Sequence, residues 1–226
     1  MKISQWPQAE RPREKLIGRG ATVLSDPELL AVLIGSGLPG RSAVELARGL
    51  IKDFGSLRAL LSADRARWLQ QPGKGIGPAR YAAMQAALEI TRRHYLEEMR
   101  AVSAMSEPDA TRQFLLAQLR DRPYEVFCCL YLDVKHRLIA FEELFRGTIN
   151  GANVHPREVL RQTLFHNAAS IILAHNHPSG AIEPSQPDEF ITGRIKEALA
   201  LVDVRLIDHL IVGDGRCFSF AEAGLL

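Results

Sequence analysis

Cysteine is scarce in this chain. Three are present in 226 residues, and no Cys-x-x-Cys pair exists. Cys128 and Cys129 are neighbours inside one apolar run and Cys217 sits in another. Neither a disulfide framework nor a thiolate zinc site is therefore expected, and the thiols read as reduced core residues. Long hydrophobic runs are missing as well: nothing approaches the roughly 18 consecutive apolar residues of a membrane span. The opening Met1-Lys2-Ile3-Ser4-Gln5-Trp6-Pro7 has neither the apolar centre nor the cleavage site of a secretory signal. The expectation is a cytoplasmic protein with no membrane partner. Also absent is the H-x-E with P-C-x-x-C signature of zinc deaminases, which argues against that class.

What is present is ordinary in bulk, with 46% hydrophobic and 24% charged residues, as in a globular protein. The net charge of +2 is unevenly spread. Residues 1–100 hold 16 Lys and Arg against 10 Asp and Glu, whereas residues 101–226 hold 12 against 16. A basic N-terminal part can favour a polyanion, although solvated helix faces explain an excess of six almost as well.

The first hundred residues read as helical. Asp26-Pro27-Glu28 opens a helix with Ser25 or Asp26 as its cap, and Gly35-Ser36-Gly37 ends it. Ser42 starts a second helix running to Phe54, and Leu57, Leu60 and Leu61 suggest a short third. Pro72-Gly73-Lys74-Gly75-Ile76-Gly77-Pro78 is another turn, followed by a helix from Ala79 to about His94. The two Gly-x-Gly turns each join helices, a weak internal repeat. Residues 94–109 read as a hinge. Beyond it the period changes. Strands are expected over Glu125–Val134, Arg137–Phe145, Ser170–Ala174, Val204–Val212 and Arg216–Phe220, with a turn at Asn150-Gly151 and helices from Pro156 and from Gln186. The expected architecture is two domains, an all-α domain over 1–100 and a mixed α/β sheet flanked by helices over 101–226.

The densest chemistry lies in His175-Asn176-His177-Pro178-Ser179-Gly180 and the later Ser185-Gln186-Pro187-Asp188. In a strand, residues i and i+2 share a face about 6.5–7 Å apart, so His175 and His177 can aim at one ion. Asp188, at the start of the next helix, supplies a third ligand. Two imidazoles and a carboxylate form a catalytic zinc set that leaves a fourth position to water. A plainer reading has Ser185 and Asp188 as a helix cap. The two are compatible, because a capped helix start would hold Asp188 in place.

The spacing His-x-His-x7-Ser-x2-Asp resembles the signature of JAMM (MPN+) metalloproteases, carried here by His175, His177, Ser185 and Asp188. The surrounding residues resemble the bacterial RadC-like family in particular. This likeness continues through Phe145-Arg146-Gly147-Thr148 and Asp208-His209-Leu210-Ile211-Val212-Gly213, and is strong over about residues 102–226. It implies a JAMM/MPN fold, a Zn2+ cofactor held by His175, His177 and Asp188, and hydrolysis of a peptide or isopeptide bond in a protein or peptide substrate. It also implies a glutamate acid/base at a strand start after a helix, which selects Glu125, with Glu142 and Glu143 as rivals. Ser185 would then donate a hydrogen bond to the developing oxyanion. Asn176, alternating away from the metal face, would fix the loop, and Asp208 and His209 could support the metal shell. In the N-terminal part, the turn at Gly75 and Gly77 resembles a helix-hairpin-helix motif, whose backbone amides can hold a phosphate. Lys74 and Arg80 would add charge, although a plain tight turn would use the same glycines.

The alternative function is a DNA-associated repair or recombination accessory protein, with the zinc domain as a recognition module. A nuclease and a non-catalytic scaffold are further classes. On this reading residues 1–100 bind duplex DNA weakly and without sequence preference, with a steep salt dependence. A salt titration of fluorescent duplex with residues 1–100, beside the Gly75→Ala/Gly77→Ala variant, tests this. Binding that is absent at low salt, or untouched by the glycine changes, leaves the hairpin as a structural turn or a protein-docking surface.

Overall fold

Helix starts in the N-terminal part are written in serine and aspartate. The computed structural model describes residues 3–70, 77–147 and 154–226. Lys74, Gly75 and the expected turn at Asn150-Gly151 lie outside the described residues. The chain divides into two units, Met1–Ile90 and Thr91–Leu226. The first is helical. It begins with α1 (Pro12–Arg19), a helix the apolar period did not announce. Ser25 caps α2 (Asp26–Ile34), its N–H and hydroxyl both donating to Glu28 Oε2 at 2.8 Å. Ser42 and Glu45 repeat the device at α3 (Ala43–Phe54). Such caps contribute about 1 kcal/mol each. Gly35, at φ 75°, ends α2 in a conformation that favours glycine.

Two short helices follow, α4 (Leu57–Leu61) and α5 (Arg65–Leu69), and then α6 (Pro78–Ala101). Leu30, Leu46, Leu50, Leu60, Trp68 and Met84 form the core of this unit. The indole N–H of Trp68 donates to the Leu60 carbonyl at 2.9 Å, so its burial leaves no donor unpaired.

The expected hinge over 94–109 is corrected in its first half. Residues 94–101 continue α6, and the break is confined to 102–107. Glu97 and Glu98 gave the segment its polar look, but both face solvent. Tyr95 and Leu96 pack against the second unit's core, and Met99 is fully buried within it.

That second unit is built on a five-stranded sheet: β1 (Val126–Leu132), β2 (Leu138–Arg146), β3 (Ser170–Asn176), β4 (Arg205–Val212) and β5 (Cys217–Ser219), in the order β2-β1-β3-β4-β5. Among the described residues only the β3–β4 pair is parallel. The central strands β1 and β3 are buried at every position, as apolar runs without alternation should be. Their alternate side chains nevertheless serve two cores. Cys128, Leu130, Ile172 and Ala174 meet Phe114, Leu115 and Leu119 of α7 (Pro108–Leu119). Cys129, Tyr131, Ile171 and Leu173 meet Val159 of α8 (Pro156–Phe165) and Ile195 and Leu199 of α9 (Gln186–Ala200). The result is a mixed sheet between helices, as expected. Among the described residues no helix is long and apolar enough to cross a membrane.

Met99 tests where α6 belongs. Met99→Ala should destabilise the full chain by about 2–5 kcal/mol in chemical denaturation, as emptying a core position does. A change below about 0.5 kcal/mol, the surface value, would return residues 94–101 to a linker.

Candidate metal centre

Strand β3 delivers the histidines. Phe127 of β1 pairs with His175, and His175 pairs with Ile211 of β4. His175 is therefore fixed between two strands and is 1% exposed. His177 follows where the strand stops. Its N–H still donates to the Val212 carbonyl at 3.0 Å, and its Nδ1–H donates to the Ala181 carbonyl at 3.2 Å. The loop between them is held from the far side. Asp214 N–H donates to the Gly180 carbonyl at 3.1 Å, and a Cβ on Gly213 would sit 2.5 Å from that oxygen. Only glycine at 213 lets the loop lie this close.

The carboxylate arrives from α9. Ser185 is the N-cap, and Asp188 N–H donates to its Oγ at 3.3 Å. In return Asp188 Oδ2 accepts from Ser185 N–H at 2.8 Å and from its hydroxyl at 2.6 Å. Asp188 Oδ1 lies 3.4 Å from His175 Nε2, and Oδ2 lies 3.7 Å from His177 Nε2. The two Nε2 atoms are 3.0 Å apart. Tetrahedral zinc with Zn–N bonds of about 2.0–2.1 Å separates its ligand atoms by about 3.3–3.4 Å. The closest approaches of the three residues lie on both sides of that value, the two histidines meeting different oxygens of the carboxylate, so the donor set suits zinc in its chemistry and lies near its spacing.

The electrostatics follow from burial and from this convergence. Burial lowers the His175 pKa to about 4. His177 is raised, chiefly by its hydrogen bond to Asp188, against the opposing effect of burial and with help from the charges of Asp188 and Glu125. For Asp188, burial favours the neutral form, but the His177 hydrogen bond, the charge of His175 and the Ser185 hydrogen bonds hold its pKa well below the usual range.

Glu125 immediately precedes β1, and its peptide is held on both sides. Asn176, fully buried, accepts from Val126 N–H at 2.8 Å and donates to the Tyr124 carbonyl at 3.1 Å. Gly147 N–H donates to the Glu125 carbonyl at 2.8 Å. Glu125 is half-buried, and its carboxylate is close enough to act on His177. The rivals are engaged elsewhere. Glu142 faces His166 Nε2 at 2.9 Å, and Glu143 pairs with Arg122 and Arg146. Asp208 does not face the ion position; it accepts from Ser219 Oγ and from the N–H groups of His209 and Ala221. Thr192, which the sequence reading passed over, is 2% exposed and reaches His209. Its signal was position alone, one helical turn after Asp188. In the N-terminal unit, Gly77 immediately precedes α6, and Arg80 donates to the Ser36 carbonyl at 2.7 Å and to its hydroxyl at 3.1 Å.

Residues 105–225 match the model of the RadC-like JAB domain, and residues 3–82 match that of the UPF0758 N-terminal region. UPF0758 proteins of Nitrosococcus oceani, Thioalkalivibrio sulfidiphilus and Azotobacter vinelandii are each 58% identical to the chain over 226 residues, covering 100% of both proteins.

Metal analysis tests the centre. One zinc per chain is expected in the wild-type protein and none in the His175→Ala/His177→Ala double variant. Equal zinc in the two proteins would place any ion elsewhere.

Proposed function

This chain belongs to the RadC-like family of JAB-domain proteins, and from that premise we propose that it is a zinc-dependent hydrolase of peptide or isopeptide bonds. The observation that carries this reading is the convergence of His175 Nε2, His177 Nε2 and an Asp188 carboxylate beside an acidic residue, Glu125, that the ion does not need as a ligand. A structural zinc site closes with four protein ligands, whereas a catalytic one leaves a position open. Three ligands and a nearby carboxylate support the second kind.

A zinc ion held by these three residues would acidify a water molecule at neutral pH and polarise a substrate carbonyl. Glu125 takes the proton of the attacking water and returns it to the leaving amine. One carboxylate serves both steps because it is unprotonated before the first and protonated after it. The anchoring of its peptide by Asn176 and Gly147 limits the positions from which it can act. Ser185 gives its hydroxyl hydrogen to Asp188 Oδ2 and in that state positions the ligand. The same hydroxyl serves the substrate oxyanion by turning away from Oδ2.

Glu125→Gln should keep zinc at wild-type stoichiometry and reduce hydrolysis of a quenched-fluorescent peptide library by about 10²–10⁴-fold, the usual worth of a general base. Glu142→Gln and Glu143→Gln should stay within a few-fold of wild type. An active Glu125→Gln beside a dead Glu142→Gln or Glu143→Gln would move the base to one of those residues.

A further inference from the structure

Two side chains behind the ligands, Thr192 and His209, form with His175 a hydrogen-bonded line whose proton positions can be read in order. Thr192 Oγ1 lies 2.5 Å from the Asp188 main-chain carbonyl. A carbonyl only accepts, so the hydroxyl hydrogen points there. The same hydroxyl lies 2.6 Å from His209 Nδ1. With its hydrogen already committed, it accepts, and Nδ1 carries the proton. His209 is wholly buried, stacked on Phe220 and edge-on to Phe127, and its two ring nitrogens face Thr192 and His175. In such surroundings the ring is neutral, so its Nε2 holds a lone pair. That Nε2 is 2.8 Å from His175 Nδ1, which must therefore donate. A neutral imidazole protonated at Nδ1 is bare at Nε2, and His175 Nε2 is the atom that points at His177 and Asp188.

We propose that His209, oriented by Thr192, is a positioning residue that locks His175 in its Nδ1–H tautomer and so holds Nε2 open for a metal ion. The line starts and ends on one residue. Thr192 is anchored to the main chain of Asp188, whose side chain faces the far end of the line. Two strands and a helix start are thus tied to a single geometry, and an error in any one of them shifts a ligand. Outer partners of this kind fix ring orientation and raise ligand basicity, and losing one costs about 10–100-fold in metal affinity. The proposal rests on the reading that His175, His177 and Asp188 bind metal. It adds that the affinity is set by a residue that never touches the ion.

Zinc affinity of the full-length chain, measured by competition with a chromophoric chelator, gives one arm of the test. His209→Phe keeps the ring volume and stacking but removes the acceptor, and should weaken zinc about 10–100-fold. His209→Gln sacrifices the stacking but offers a carbonyl oxygen within reach of His175 Nδ1–H, and should stay within a few-fold of wild type. A purely packing role for His209 predicts the reverse order, and that order overturns the proposal. The second arm needs no variant to fold: nitrogen NMR of metal-free wild-type protein labelled at histidine should show His175 and His209 both protonated at Nδ1. Finding His175 protonated at Nε2 overturns the proposal even if both substitutions misfold. Wild-type protein that binds no zinc removes the metal reading itself. Wild-type and His209→Phe proteins that bind zinc equally well leave that reading standing and remove only the role of His209.

Discussion

The two-residue period of a single strand end governs the site. His175 faces α8 and α9, and Asn176, one residue later, faces the opposite layer. One side of β3 therefore presents a candidate ligand, His175, while the other ties down the segment that carries Glu125. A register slip of one residue would exchange them, burying an amide where the ligand belongs. Both side chains are polar and essentially fully buried, and each unpaired buried group would cost about 1–3 kcal/mol. Each has partners: His175 the ring of His209, and Asn176 the main chain at Tyr124 and Val126. Burying these polar groups narrows the choice to one register.

Around that strand end, local motifs serve both stability and presentation. The box of Ser185 and Asp188 is what any helix start needs to satisfy its free N–H groups. Here it also turns a carboxylate oxygen toward His175. The clasp of Asp214 on Gly180, made possible by glycine at 213, closes the loop that carries His177. A helix cap of this kind is worth about a kilocalorie per mole for folding, so stability and geometry depend on the same atoms.

The parts legible in the sequence are those set by local spacing. The strands β1 to β5 announced themselves through apolar and β-branched runs, the helices α3 and α9 through serine caps, and the grouping of His175, His177 and Asp188 through their separations along the chain. What escaped depends on pairing at a distance. The His209 to His175 contact spans 34 residues and needs the parallel β3–β4 register, with its irregularity between Ile171 and Ile172. The sequence offered His209, beside Asp208 in an apolar strand, as support for the metal shell, but gave no sign that His175 is its partner. The end of α6 escaped for another reason: Glu97 and Glu98 looked like a break, whereas Tyr95, Leu96 and Met99 already traced a helical face. Helix α1 carries too few apolar positions for any period to show.

The three candidate ligands differ in burial, and that ordering has a chemical sense. His175 is sealed inside and, with its pKa near 4, stays neutral at any physiological pH. His177 and Asp188 are less buried, their side chains 18% and 15% exposed, and the hydrogen bond between them raises the pKa of the histidine and, against burial, helps to lower that of the carboxylate. On the proposed metal reading, an ion arriving at this convergence competes with a proton for His177. The sign is fixed by the raised pKa: below it an incoming ion must displace a proton from His177, and above it the nitrogen is already free. On that reading the buried histidine supplies a constant donor, and the exchange falls to His177 and Asp188.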